Sequence, residues 1–497
     1  MSVRRSLVWM MGSQGTLLVM QFGGSVALAR MLTPYEMGVY AVGSAIVNII
    51  NVVQAFGLAL FVIREKTLEP ELEASVFTVN AILAVLLSAV VAALSAVGGA
   101  FLREPGVQRV MLVLAMVPLF GAFEFLPAAK LERAAQFRAV AMVGLLRMAA
   151  STLATVGLAW WGFSFMSIAW GGLAGAVAST TGFLIAGRQH VSFRLGLSAW
   201  RRLLRFGVHQ MAIHGVNTAA SRFSDLILGR MLGLAALGLY GRASNLSALL
   251  WFNILVAVGR VVMVDFADRQ RRGEGLRESY LRSSEILLGF LWPAYAGLAI
   301  VSAPFIRVIY GSAWVGAAAP LACISIGAML SVSLTMSWEV FVVCNETERQ
   351  ARIEFRRSGF GLALFAIGSL FSLTAAAASR IGEALFSVAL YRPHIERLTG
   401  TRRSDFMPIY RRSTIATVAA CAPAFLLMLA YDWSAQTPLL LVIGAVVLGL
   451  ALWFVALLRT GHALAGEIGR LAAKARAMFS TIRHRHAPTS RRVSGRR

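Results

Sequence analysis

Apolar runs of roughly 18 residues or more recur along most of this chain, each long enough to cross a hydrocarbon core of about 30 Å as a helix. Inside lipid a backbone N–H or C=O finds no water, so a spanning segment must satisfy its own hydrogen bonds. Runs of this length do so as helices. Bounded by charge, Gly or Pro, they fall at 6–28, 38–63, 74–98, 107–129, 139–161, 163–187, 207–229, 242–265, 284–309, 318–344, 358–378, 380–391, 413–431 and 437–458. The sequence thus predicts about fourteen spans, of which 380–391 is too short to cross alone. Only 14% of residues are charged, against about 25% in soluble domains, and mean hydropathy is +0.71.

The net charge of +24 suggests nucleic acid until the charges are placed. About 37 of the 47 Lys and Arg residues lie on one side if the N-terminus is cytoplasmic, roughly seven on the other and three within spans. That imbalance predicts both termini in the cytoplasm, with the cations meeting anionic lipid headgroups rather than nucleic acid. The outer-side cations on this count are Arg30, Arg103, Arg109, Arg230, Arg242, Arg307 and Arg380. Residues 1–29 carry features of a signal peptide, but their internal recurrence favours a retained first span.

No segment between spans is long enough for a soluble catalytic domain. In 188–206, Trp200, Leu203, Leu204 and Phe206 interleave with Arg201, Arg202 and Arg205, the pattern of an amphipathic helix in the interface. The tail begins similarly, with Leu464, Ile468, Leu471, Ala475 and Met478 on one face, and past His484 has the composition of a disordered segment. The three cysteines, Cys323, Cys344 and Cys421, give no disulfide framework, and the seven histidines have no metal spacing. No phosphate loop of the Gly-x-x-x-x-Gly-Lys kind is present. The expectation is neither a cofactor nor a metal, and no enzyme activity.

An internal repeat organises the spans. Ala29-Arg30-Met31-Leu32 followed by Gly38-Val39-Tyr40 returns 200 residues later as Gly229-Arg230-Met231-Leu232 and Gly238-Leu239-Tyr240. A weaker echo pairs Glu132-Arg133 and Phe137-Arg138 with Glu348-Arg349 and Phe355-Arg356. Six spans separate the copies, so the halves share an orientation, which predicts parallel repeats with a substrate path between them.

The stretch from Leu28 through Thr33-Pro34-Tyr35-Glu36 to Tyr40 resembles the first-loop signature of the polysaccharide-transporter branch (Wzx-like oligosaccharide flippases) of the MOP flippase superfamily. Phe56-Gly57-Leu58, Leu131-Glu132-Arg133 and Leu204-Arg205-Phe206-Gly207 resemble it too, as do Asp225-Leu226-Ile227-Leu228-Gly229 and Leu237-Gly238-Leu239-Tyr240. The resemblance covers spans 1 to about 10 and departs at 358–391. It implies an all-α polytopic membrane protein of about 14 transmembrane helices, two parallel six-helix lobes plus a C-terminal helix pair. The expected parts are an N-terminal lobe over 1–187, the linker 188–206, a second lobe over 207–391, linker and extra helices over 392–458, and the tail 459–497. The implied cargo is a polyprenyl-pyrophosphate-linked oligosaccharide crossing a bacterial inner membrane, with a polysaccharide polymerase and chain-length machinery as partners.

Moving such a cargo requires a polar path and a cation on it to offset the desolvation of phosphate. In the seventh span Gln210, His214, Asn217, Thr218, Ser221, Arg222 and Asp225 fall within an arc of about 140° at 100° per residue, so this face turns from lipid. Arg222 is the deepest cation. Its candidate role is phosphate or sugar contact, against a purely structural pair with Asp225 one turn away. Gln21 in the first span and Asn51 in the second are candidate sugar contacts, with interhelical hydrogen bonding as the alternative. Arg147 pairs with Glu124 or gates the path. Arg30 and its repeat partner Arg230 orient the chain or bind headgroups, and Glu383 is given no role. A MATE-like cation-coupled drug antiporter would share the fold, though the intramembrane cations favour an anionic cargo. A polysaccharide polymerase or ligase would need a long outer loop that is lacking here.

Overall fold

In the computed structural model the described residues are 3–51, 58, 61–62, 65, 68–102, 104–188 and 193–470; for 3–14, 18, 51, 100–102, 206–221, 252–257 and 260 the backbone alone is described. The helices are α1 (Val3–Met31), α2 (Pro34–Asn51), α3 (Pro70–Leu102), α4 (Pro105–Leu114), α5 (Val117–Arg133), α6 (Phe137–Trp160) and α7 (Met166–Ala186). They continue as α8 (Trp200–Met231), α9 (Leu234–Arg271), α10 (Arg277–Ile300), α11 (Ser302–Tyr310), α12 (Ala318–Ser331) and α13 (Ser337–Val343). The last are α14 (Thr347–Ser369), α15 (Leu373–Thr399), α16 (Arg403–Ala430) and α17 (Leu439–Thr460). Among the described residues nine segments are long and apolar enough to cross a membrane, the pairs α4–α5 and 312–343 each counting as one. This is a multi-pass membrane protein.

The chain divides into two compact units. The first comprises Met1–Ala248, Ser302–Gly327 and Arg352–Glu383. Within it α6 lies against α1 and α7, while α2 packs on α4 and α8. Its core gathers Val39, Val42, Val107, Val110, Met111, Leu228, Leu237, Tyr240 and Phe365. The α6–α7 contact is built from the small residues Ser151, Thr155, Gly171 and Gly175, the usual means of bringing two helices close in lipid, where apolar side chains gain nothing by leaving one hydrocarbon for another.

The repeat motif sits where α2 and α9 cross near their starts. A Cβ on Gly38 would lie 1.8 Å from the Leu234 carbonyl oxygen, and one on Gly238 would lie 1.9 Å from that of Pro34. Gly38 and Gly238 are repeat partners, as are Pro34 and Leu234, so the contact is reciprocal. No side chain fits at either glycine. Each helix start is also fixed from outside the crossing. Gly233, at φ +88°, turns the chain from α8 into α9 in the left-handed region that suits glycine. In the first turn of α2, Glu36 accepts from the Thr33 amide at 2.7 Å, from the Thr33 hydroxyl at 2.8 Å and from the Ser164 hydroxyl. Partial burial raises the Glu36 pKa, but these donors outweigh it and hold the group below the ordinary carboxylate value.

The second unit comprises Leu249–Val301, Ala328–Ala351 and Ala384–Arg497, and in it α16 packs between α10 and α17. Tyr280 and Phe406 meet edge to face, Trp292 stacks on Tyr410 at 5.7 Å, and Arg392 lies over Phe406 and Tyr410. The start of the tail, 463–470, is helical and its Leu464 and Ile468 pack on Ala416, Ala456 and Leu457. The apolar face expected to lie in the interface therefore packs, through Leu464 and Ile468, on the protein's own helices.

Other expectations also change. Residues 380–391 are the middle of α15, a 27-residue helix long enough to cross a membrane, because the preceding helix ends at Ser369 rather than near 378. The amphipathic 200–206 stretch is the first two turns of α8 and continues into the seventh span. The expected linker 392–412 is helical except at 400–402. Arg242 and Arg380, placed in outer loops by the sequence, are inside α9 and α15.

Candidate functional site

Arg222 and Asp225 are one turn apart on α8, and the pair does form, by one hydrogen bond of 3.2 Å from Arg222 Nη1 to Asp225 Oδ2. Among the described residues Arg222 Nε is buried with no partner, while its side chain as a whole is 40% exposed. The guanidinium is thus tethered at one edge and has donors to spare. The backbones of Gln210, His214, Asn217 and Ser221 lie in the same helix, and their side chains are outside the described residues. So is that of Asn51.

Behind Arg222 stands a network that sequence spacing did not bring together. Arg380 on α15 donates from Nε to Tyr240 Oη at 2.9 Å, from Nη1 to Glu383 at 2.7 Å and from Nη2 to the Ser224 hydroxyl at 3.3 Å. Its guanidinium carbon lies 4.7 Å from the centre of the Phe365 ring, which meets Tyr240 edge to face. Glu383 also accepts from Arg357 of α14, whose guanidinium holds Glu354 by two bonds. Helices α8, α9, α14 and α15 are thereby joined by charge-assisted bonds inside the first unit. Low dielectric strengthens such bonds and makes an unpaired member costly. Two signals for this network were present in the sequence: the i, i+3 spacing of Arg380 and Glu383, and the repeat that pairs Tyr240 with Tyr40.

The other expected residues lie apart. Arg147 Nη1 donates to Glu124 at 3.3 Å, and Glu124 also accepts from Ser179 at 2.5 Å, so the pairing alternative holds, with the Arg147 side chain half exposed. Gln21 is exposed on α1, one turn before Ser25, which accepts from Arg242. Arg30 caps the end of α11 through the carbonyls of Ile309, at 2.9 Å, and Val308. An apolar groove of about 500 Å³ along α6 and α7, lined by Leu158, Phe163, Trp170 and Val177 among others, has no charged group to orient a polar cargo.

Residues 27–319 match the family model described as polysaccharide biosynthesis protein. The chain belongs to that family. Relatives include the lipopolysaccharide biosynthesis protein WzxC of Escherichia coli, 24% identical over 58% of this chain and 59% of that one. The succinoglycan biosynthesis transport protein ExoT of Rhizobium meliloti is 25% identical over 63% of each. The matched region thus spans about three-fifths of these relatives' length. Among solved structures the fold is similar to the lipid II flippase MurJ in an inward closed conformation, with a TM-score of 0.72 at 12% identity, covering 90% of this chain and 98% of that one. It is similar as well to an inward-facing MATE family multidrug transporter of the MOP superfamily, with a TM-score of 0.57 at 13% identity, covering 78% and 96%. The MOP-type helical fold expected from the sequence is therefore present.

Proposed function

We propose that this protein carries polyprenyl-pyrophosphate-linked oligosaccharide units across the bacterial inner membrane by alternating access, for assembly of capsule, exopolysaccharide or O-antigen. The observation that carries this reading is membership of the polysaccharide biosynthesis family over 27–319, the segment that contains Arg222. The spare donors of Arg222 suit a phosphate, since a guanidinium can offer two parallel hydrogen bonds to its oxygens. Flipping makes and breaks no covalent bond, so the site has to provide a polar path and counter-charge rather than a nucleophile. The charge network behind Arg222 supports such a path by holding four helices in register while lipid surrounds them. We read the repeats as two lobes, 1–187 and 207–391, with both termini cytoplasmic and a polysaccharide polymerase and chain-length machinery downstream.

The likeness to the MATE transporter concerns the fold, and the family membership points to glycolipid rather than drugs. Deleting the gene should leave lipid-linked oligosaccharide accumulating at the cytoplasmic face. Unchanged glycolipid and polysaccharide, with altered drug resistance instead, would sink the proposal.

A further inference from the structure

Past α17 the chain turns at Gly461, φ +62°, and re-enters helix at 463–470. His462 stands between the two helices and is 2% exposed. It caps the second helix twice. Its carbonyl accepts from the Ala465 amide at 2.9 Å, and its Nδ1 accepts from the Leu464 amide at 3.2 Å. A neutral imidazole that accepts at Nδ1 carries its proton on Nε2, which lies 3.1 Å from the Ser413 hydroxyl of α16. The amide before these, that of Ala463, donates to Glu285 of α10 at 3.2 Å. The ring rests on bare backbone, since a Cβ on Gly289 of α10 would lie 2.3 Å from His462 Cε1. The start of the tail is thus held on α10 and α16, inside the second unit, by a neutral histidine and a carboxylate.

Ser, Thr, Asp and Asn are the usual caps, and none of them loses its acceptor near neutral pH. Histidine does. A proton on Nδ1 sets one N–H against the N–H of Leu464, so a buried donor goes unmet unless the helix leaves. The charges that act on the ring are Glu285 from α10 and Arg412 from α16. Glu285 favours the proton but is already shared between the Ala463 amide and Arg412, the latter at 3.3 Å. Glu467, on the tail helix itself, is engaged by Arg282 of α10 and by Arg470. Burial, the largest influence, and Arg412 both oppose protonation and hold the docked ring below the ordinary 6.5. Release restores the ordinary value, so the released tail binds the proton more tightly and acid favours release.

We propose that His462 is a pH-operated latch on the tail: neutral, it holds 463–470 on α10 and α16, and protonated, it lets that helix go. Leu464 and Ile468, parted from Ala416, Ala456 and Leu457, then turn to the membrane interface, which the amphipathic pattern of 464–478 suits.

The test follows hydrogen exchange of the full chain in phosphatidylcholine nanodiscs from about pH 8 to pH 5, corrected for the chemical exchange rate at each pH. Protection of 463–470 should be constant well above pH 6.5 and fall below it by up to about tenfold per pH unit, the limit for one proton, while α17 stays protected. His462→Gln keeps an acceptor for the Leu464 amide and a donor for Ser413 and does not titrate, so its protection should not vary with pH. A flat profile in the wild type, a loss shared equally by α17, or a fall that survives in His462→Gln would each overturn the proposal. If His462→Gln does not fold, the wild-type profile and its confinement to 463–470 decide the matter.

Discussion

The reciprocal glycine contact predicts an unusual double-mutant result. In Gly38→Ala the new Cβ would meet the Leu234 oxygen at 1.8 Å, where ordinary contact begins at 3.4 Å, so α2 and α9 must part by about 1.6 Å at the crossing. The obstructing atom is backbone and cannot rotate away. Overpacking of this kind costs about 1–3 kcal/mol, here toward the upper end, while alanine returns about 1 kcal/mol of helix propensity. The net loss is about 2 kcal/mol, and Gly238→Ala should lose the same. One separation accommodates both methyl groups, so the double variant should cost no more than either single one. That is a coupling of about 2–3 kcal/mol, within the range seen for residues in contact. Reversible unfolding in mixed micelles with a denaturing detergent measures all four corners of the cycle. Gly121→Ala, with nothing within 4 Å of its Cβ, is the control and should be neutral or stabilising. Additive losses of about 4 kcal/mol in the double variant, or no loss in the single ones, would refute the reasoning.

Other perturbations address the charges. Arg222→Ala removes charge-assisted hydrogen bonds of about 1.5–3 kcal/mol, so cargo affinity should fall about 10- to 100-fold in a reconstituted flipping assay with normal protein levels; full flipping would remove Arg222 from the path. Glu383→Gln leaves Arg357 and Arg380 facing each other without their shared anion and should destabilise by about 3–5 kcal/mol in the same unfolding experiment, a wild-type value showing that the network is dispensable. His462 gives a pH signature. Its Nδ1 accepts from the Leu464 amide at 3.2 Å, its Nε2 pairs with Ser413 at 3.1 Å, and Arg412 and Glu285 face it. Burial first, and Arg412 next, lower its pKa below the ordinary 6.5, with Glu285 opposing. The unfolded chain therefore binds the proton more readily, so stability is full above pH 6.5 and is lost as pH falls through that value. Melting temperature should drop more steeply between about pH 7.5 and 5.5 in the wild type than in His462→Gln, and parallel slopes would count against the buried neutral imidazole.

Hydropathy made most of the helices legible because lipid tolerates few charges, but it misled at turns and at charges. Leu370 and Phe371 form the turn between α14 and α15 and are 67% and 77% exposed, so the apolar run passes through the break without marking it. After α6, by contrast, Gly162 marks the break between the runs 139–161 and 163–187, although Trp160 and Trp161 beside it are exposed aromatics of the kind found at an interface. Charge failed as a boundary where it is paired or caged. Arg380 and Arg242 read as loop residues, yet Glu383, Tyr240 and two aromatic rings make the helix interior habitable for them. At the site, the Arg222–Asp225 pair was legible because its partners share one helix face. The bond from Arg380 to Tyr240 joins residues 140 apart in sequence, which no local periodicity can register.

The crossing of α2 and α9 also accounts for which part of an ancestral duplication can still be read. Where two copies of a segment meet each other rather than unrelated neighbours, each is the other's mould. A side chain gained at Gly38 would collide with the copy carrying Leu234, and one gained at Gly238 with the copy carrying Pro34. Drift in either copy is therefore checked by its twin, whereas segments without such a contact were free to diverge until little more than the weaker echo of 132–138 in 348–356 is left in the letters.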